Sequence, residues 1–127
     1  MPDILDKIFC DKKIELDTVK RKLALPDVKM RIANNNYEIR DIRKSLQLGG
    51  RSSIIAEIKP RTPFKGVLLD NVDPVAIAKT YADNGAAALS ILTESKYFGG
   101  SLTSLESARE HVSIPLLRKD FIFDEYQ

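Results

Sequence analysis

The sequence predicts an α/β fold in which parallel strands are covered by helices. Three observations predict it. Short apolar runs at Ile54–Lys59, Ala87–Leu92 and Pro115–Arg118 alternate with amphipathic helical segments, the pattern of consecutive strand–helix units. Each run is almost continuously apolar, as expected of parallel strands buried on both faces. Their polar ends fall at Lys59, Thr93 and Lys119, a repeat of roughly 30 residues, which is the size of one such unit.

The elements follow in order. Residues 1–52 read as helical. Leu5, Ile8, Leu16, Val19 and Leu23 recur at helical spacing, with Lys12 filling one position of the stripe. Asp3 is the expected N-cap, and Pro26 bounds the helix at its far end. Pro26 and Asp27 suit the first turn of a second helix. Asn34-Asn35-Asn36 is a loop signal. Tyr37–Leu48 offers Ile39, Ile42 and Leu46 as a third helical piece, stopped by Gly49-Gly50.

From Ser53 the texture changes to strand–helix–strand–helix–strand. The first strand is closed by Pro60. Asp73-Pro74 opens a helix with Ile77, Ala78, Tyr81 and Ala82 on its buried side, ended by Asn84-Gly85. Gly99-Gly100-Ser101 leads to another, with Leu102, Leu105, Ala108 and Val112 on one side. Asp124 has the character of a cap for one more.

Composition narrows the class of function. The chain has 127 residues, 43% hydrophobic and 30% charged, with a net charge of +2, an ordinary globular balance. No apolar run approaches the ~20 residues of a membrane span. The N-terminus lacks a basic segment followed by an apolar one, so no secretory signal is expected. A cytoplasmic location is the expectation. Cys10 is the single cysteine and has no internal disulfide partner, and no Cys/His cluster suits a metal. Lys20-Arg21-Lys22 is basic, but acidic residues are interleaved and no aromatic platform accompanies it. It reads as a solvated helix face, not a nucleic-acid site. No G-x-G-x-x-G follows the first strand, and no Walker-type loop is present.

The candidate chemistry lies at strand ends. Alternation puts Glu57 and Lys59 on one side of the first strand, opposite Ile58. Charged groups in an apolar strand are costly unless paired or functional, and α/β proteins keep their active sites at C-terminal strand ends. A structural ion pair is the alternative. Lys119 repeats the placement on the third strand, with Leu117 on its side and Leu116 and Arg118 on the other; Asp120 is its alternative partner. Two lysines at the ends of nearby strands suit an anionic substrate such as a sugar phosphate or carboxylate. Thr62, in the loop Pro60–Gly66, can donate to a phosphate. Tyr97, Phe98 and Phe121 follow the second and third strands, where they can wall a ring pocket or cap the core. His111 and Cys10 read as incidental.

These residues carry a resemblance. Ile55-Ala56-Glu57-Ile58-Lys59, Pro63, Lys65-Gly66, Asp73-Pro74, Ala88–Glu94, Lys96-Tyr97-Phe98, Gly100-Ser101-Leu102 and Leu117–Ile122 together resemble indole-3-glycerol-phosphate synthase of tryptophan biosynthesis. The helical prelude resembles that family's N-terminal extension. The resemblance covers nearly the whole chain. It implies a TIM (β/α)8 barrel preceded by a helical extension, here a partial barrel, with the extension over 1–52 and the truncated barrel over 53–127.

The implied enzyme is a carboxy-lyase. It converts 1-(2-carboxyphenylamino)-1-deoxyribulose 5-phosphate to indole-3-glycerol phosphate, releasing CO₂ and water, without metal or organic cofactor. By resemblance, Lys119 is the general acid for the substrate carbonyl. Lys59 contacts the substrate carboxylate and takes part in proton transfer, and Glu57 orients the lysine pair. Phe98 and Phe121 line the ring pocket. Thr62-Pro63-Phe64 replaces the family's usual Ser-Pro-Ser, which keeps a hydroxyl at Thr62 and adds bulk at Phe64.

A complete barrel takes about 250 residues. The family's second catalytic glutamate, its asparagine and its phosphate loops belong to later strands. The expectation is therefore a chain inactive alone, whose partners are a small sugar phosphate and a complementing C-terminal fragment, with no nucleic acid and no membrane. Two alternatives stand beside it. One is a fragment that acts only by associating with a partner chain. The other is a different sugar-phosphate barrel such as phosphoribosylanthranilate isomerase, which calls for another acid–base pair than the Glu57, Lys59 and Lys119 set.

Overall fold

A computed structural model describes residues 3–47, 52–71 and 73–127. The chain divides into two compact units. One gathers the chain up to Glu38 together with Phe121–Gln127; the other is Ile39–Asp120. These units are groupings of contacts. They differ from the division expected at 52/53, since the third helix is grouped with the strands.

In the first unit, helix α1 spans Ile4–Lys22 and α2 spans Leu25–Ala33. Asp3 caps α1 as expected, accepting from the Ile4 N–H, while the Asp6 carboxylate accepts the Asp3 N–H at 3.1 Å. The buried stripe is shorter than the expected one. Ile8, Lys12 and Leu16 are buried, whereas Leu5 and Val19, nearer the helix ends, are largely exposed. Lys12 keeps its ammonium paired with Glu15 at 3.0 Å, so its stem fills an apolar position without stranding the charge. Helix α1 already ends at Leu23, and Pro26 sits in the first turn of α2.

The C-terminal segment folds onto α1. Phe121 packs edge-on against Phe9 at 5.6 Å between ring centroids, and Phe123 packs on the same ring at 5.8 Å. Lys20 pairs with Asp124 at 2.6 Å, and the Tyr126 hydroxyl donates to the Leu23 carbonyl at 2.6 Å. Asp124 does not cap a helix among the described residues. Its carboxylate accepts the Tyr126 N–H at 2.8 Å inside a turn.

The second unit holds α3 (Ile42–Gln47), β1 (Ile55–Ile58), β2 (Arg61–Thr62), β3 (Gly66–Val67), α4 (Pro74–Asp83), β4 (Ala88–Leu92), α5 (Leu102–His111) and β5 (Leu116–Lys119). Strands β1, β4 and β5 form a parallel sheet in that order. Glu57 stands opposite Ser90, Ile58 opposite Ile91, and Leu92 opposite Lys119. Parallel neighbours require long crossovers, which α4 and α5 supply. Among the described residues β1 and β5 have one strand neighbour each.

The core joins one face of this sheet to α4 and α5. Ile58, Leu89 and Ile91 are buried with Ala78, Ala108 and Val112, and Ala56, Ile77, Tyr81, Leu105 and Leu116 pack around them. Asp73 caps α4 by accepting from Val75 and Ala76, and Ser101 caps α5 by accepting from Ser104. Gly85 follows α4 with φ +88°, the left-handed conformation that suits glycine at a helix end.

Three expectations are corrected. Leu102 is half exposed, because α5 meets the sheet from Leu105 onward. Helix α3 begins at Ile42, since Asp41 accepts the Lys44 N–H and starts the helix there; Gly49-Gly50 lies outside the described residues. Only the central strand is buried on both faces. The outer strands leave Ile55 and Leu117 substantially exposed on the face away from the helices.

Candidate active site

Strand alternation gives the face away from α4 and α5 its chemistry. Ile55 and Glu57 of β1, Ser90 of β4, and Leu117 and Lys119 of β5 share it, and Lys59 continues it past the end of β1. The Lys59 Nζ stands 2.9 Å from Glu57 Oε1, and the Ser90 hydroxyl donates to Glu57 Oε2 at 3.3 Å. Glu57 is thereby held from both sides. Roughly a third of each charged side chain remains exposed, 32% for Glu57 and 37% for Lys59. Solvent reaches the pair, so it escapes the desolvation cost that the apolar strand suggested. Lys119 is exposed at the end of β5.

Asp120 turns away from Lys119. It accepts from the Thr93 hydroxyl at 2.7 Å and pairs with Arg118 at 3.4 Å, while Arg118 Nε donates to Thr93 Oγ1 at 3.2 Å. The Thr93 N–H donates to the Lys119 carbonyl at 3.0 Å. This knot of side chains closes the ends of β4 and β5 on the helix-covered side and fixes the backbone from which Lys119 projects.

The loop after β1 contains a small hairpin, β2 paired antiparallel with β3. The Thr62 hydroxyl accepts the Lys65 N–H at 3.1 Å inside it, which still leaves that hydroxyl a proton to donate. Phe64, at the tip, is 81% exposed. Phe98 is half-buried in the turn after β4. Glu94, almost fully buried, accepts the backbone N–H groups of Lys96, Tyr97 and Phe98 and so shapes that turn. Phe121 belongs to the other compact unit, against Phe9.

Glu57, Lys59 and Lys119 thus share one face and one end of a single sheet, with Thr62 and Phe98 in the loops that follow β1 and β4. The residues sequence reasoning missed are Ser90, Glu94, and the Thr93, Arg118 and Asp120 set. Glu94 carried a readable signal, a carboxylate directly followed by the N–H groups it binds. Ser90 required the strand register.

Neither of two cavities is built from these residues. A cleft of about 250 Å³ is lined by Ile58, Pro60, Leu69, Asn71 and Ser104 among others, and one of about 520 Å³ in the other unit by Lys20, Leu25 and Asp124–Tyr126. Among the described residues no group of three or more His, Cys, Asp and Glu is placed to hold a metal ion, and no helix is long and apolar enough to cross a membrane.

A profile described as indole-3-glycerol phosphate synthase matches residues 5–127. The chain belongs to the indole-3-glycerol phosphate synthase family. It is 49% identical over 127 residues to an indole-3-glycerol phosphate synthase of Campylobacter jejuni subsp. doylei, covering 98% of this chain and 48% of that protein. The synthase of Roseiflexus sp. (strain RS-1) is 42% identical over 134 residues, covering 100% and 49%. That of Microcystis aeruginosa is 44% identical over 126 residues, covering 98% and 42%. The chain spans about half the length of the curated relatives it matches. Indole-3-glycerol phosphate synthases are TIM-barrel carboxy-lyases of tryptophan biosynthesis. The described strands of this member form an open parallel sheet, not a closed barrel. Family membership decides against the isomerase alternative.

Proposed function

We propose that this chain supplies the helical extension, residues 1–52, and the first barrel strands, within residues 53–127, of an indole-3-glycerol-phosphate synthase working in the cytoplasm. The observation that carries the reading is the common face of Glu57, Lys59 and Lys119 at the C-terminal end of the parallel sheet, with Glu57 and Lys59 paired at 2.9 Å. In barrels that end is the catalytic one.

Lys119 protonates the carbonyl of 1-(2-carboxyphenylamino)-1-deoxyribulose 5-phosphate as the ring closes. Lys59 binds the carboxylate that leaves as CO₂, and takes part in the proton transfers that end in loss of water. Glu57, steadied by Ser90, orients Lys59. Thr62 donates to the phosphate, and Phe98 and Phe121 flank the anthranilate ring. No metal or organic cofactor is required by this reading. The remaining strands come from a complementing C-terminal segment, and the chain by itself does not turn over.

The test is complementation. The purified chain is assayed for indole-3-glycerol phosphate alone, then with the second half of the Campylobacter relative as a separate polypeptide. Activity only in the mixture is expected, and Lys119→Ala should lower kcat at least 100-fold while KM moves less, as befits a group acting mainly in the transition state. Product from the chain alone would overturn the incompleteness. A mixture that assembles but stays silent would overturn the assignment. The open edges of β1 and β5 favour a second reading, in which the chain acts only by association; an assembled but inactive complex is its signature.

A further inference from the structure

The turn after β4 is held from two sides by opposite charges. From inside, the Glu94 carboxylate accepts the N–H groups of Lys96 at 3.1 Å, Tyr97 at 2.7 Å and Phe98 at 2.9 Å, and the Glu94 carbonyl accepts the Gly100 N–H at 2.8 Å. From outside, Arg61 of β2 takes the carbonyls. Its Nη2 donates to Ser95 O at 2.9 Å and to Lys96 O, and its backbone N–H donates to Phe98 O at 3.2 Å. An anion gathers the donors of the turn and a cation gathers its acceptors, the stronger kind of hydrogen bond in both cases.

The Arg61 stem runs close over Gly99, where a Cβ would stand 3.2 Å from Arg61 Cγ. The guanidinium keeps this position although its Nε is buried without a hydrogen-bond partner. Such a buried orphan donor is uncommon and calls for a reason. The reason on hand is geometric: in this position one nitrogen, Nη2, reaches both carbonyls.

We propose that Arg61 is a positioning residue of the candidate active site: from the hairpin that carries Thr62 it fixes the turn that carries Phe98, so that the two loops take up one arrangement together. The proposal rests on the functional reading above for the roles of Thr62 and Phe98. Arg61 itself touches no reacting atom in this account. Its loss misplaces two binding groups at once and leaves the lysines on their strands. The consequence is weaker substrate binding more than slower chemistry.

Hydrogen exchange on the full 127-residue chain tests the coupling without any assay of activity. In Arg61→Ala the amides of Tyr97, Phe98 and Lys65 should exchange at least ten-fold faster, with those of Leu89 and Ile91 unchanged; Arg61→Lys should recover part of the protection. Unchanged exchange at Tyr97 and Phe98, or equal acceleration in the core, would overturn the proposal. In the complemented enzyme Arg61→Ala should raise KM about ten-fold, with kcat within three-fold and Arg61→Lys intermediate. A fall in kcat at constant KM would overturn it too. If the complemented parent makes no product, the functional reading falls, while the exchange data still decide the coupling.

Discussion

At Gly100 a single hydrogen sets the path of the chain. A Cβ there would stand 2.0 Å from the Leu92 carbonyl oxygen and 2.3 Å from its carbon. The turn is drawn this close because the Gly100 N–H reaches back to Glu94. Gly100→Ala has to push the turn off the end of β4, an overpacking cost of roughly 1–3 kcal/mol. The urea midpoint should fall at constant slope; an unmoved midpoint would show that the turn yields freely. Asp124 makes a different residue-scale prediction. Its hydrogen bond to Lys20, then the Tyr126 N–H, hold the carboxyl below its ordinary value of 3.8. A carboxyl with a folded pKa below the unfolded one stabilises above the unfolded value and loses that contribution as pH falls through the folded one. Stability curves of the parent and Lys20→Ala should therefore lie apart above about pH 3.8 and converge as pH drops below it. A constant offset across the acid range would refute the linkage.

At the scale of elements, what was legible was what is local. The caps at Asp3, Asp73 and Ser101 act within three residues of themselves, and those at Asp3 and Asp73 sit where the sequence placed them. Asp73→Ala should accordingly cost about 1 kcal/mol, by exposing the first-turn N–H groups of α4. Thermal melts check this, and Asp73→Asn should retain most of the stability. The three parallel strands were legible for a similar reason, since a buried run advertises itself by composition. The β2–β3 hairpin was not. It depends on Pro60 accepting from both Leu68 and Leu69, and on a bond between Thr62 and Lys65, neither of which leaves an alternating apolar pattern in two-residue strands. The same limit hid half of the candidate site. Glu57, Lys59 and Lys119 stood out as charges in apolar strands. Ser90 and Arg61 matter through partners 33 to 35 residues away, which no local pattern encodes. Phe121 shows the converse: adjacent to Lys119 and Asp120 in sequence, it is grouped with α1, because Phe9 offers it an aromatic partner.

For the molecule as a whole, the decisive feature is that the chemistry lies on the face of the sheet away from α4 and α5. Helices α4 and α5 take up the other side of the sheet; on this side Ser90 and Leu92 of the central strand are buried, Ile55 and Leu117 of the outer strands are exposed beside the charged groups, and among the described residues β1 and β5 each have one strand neighbour. Parallel strands ordinarily have both faces covered, and an open edge is a template for another strand. A second polypeptide supplying the rest of a barrel would satisfy edges and face together, whereas a nonspecific partner would satisfy one edge at most. Binding that requires the folded sheet must stabilise it by mass action, about 2.7 kcal/mol when the partner stands at 100 times its Kd. The urea midpoint of this chain should rise steadily with the concentration of the relative's second half, and amides of β1 and β5 should gain protection together. Protection confined to one edge would mean simple strand addition. A midpoint indifferent to the partner would mean that the sheet does not recruit the rest of a barrel, and the proposed activity would lose its structural basis.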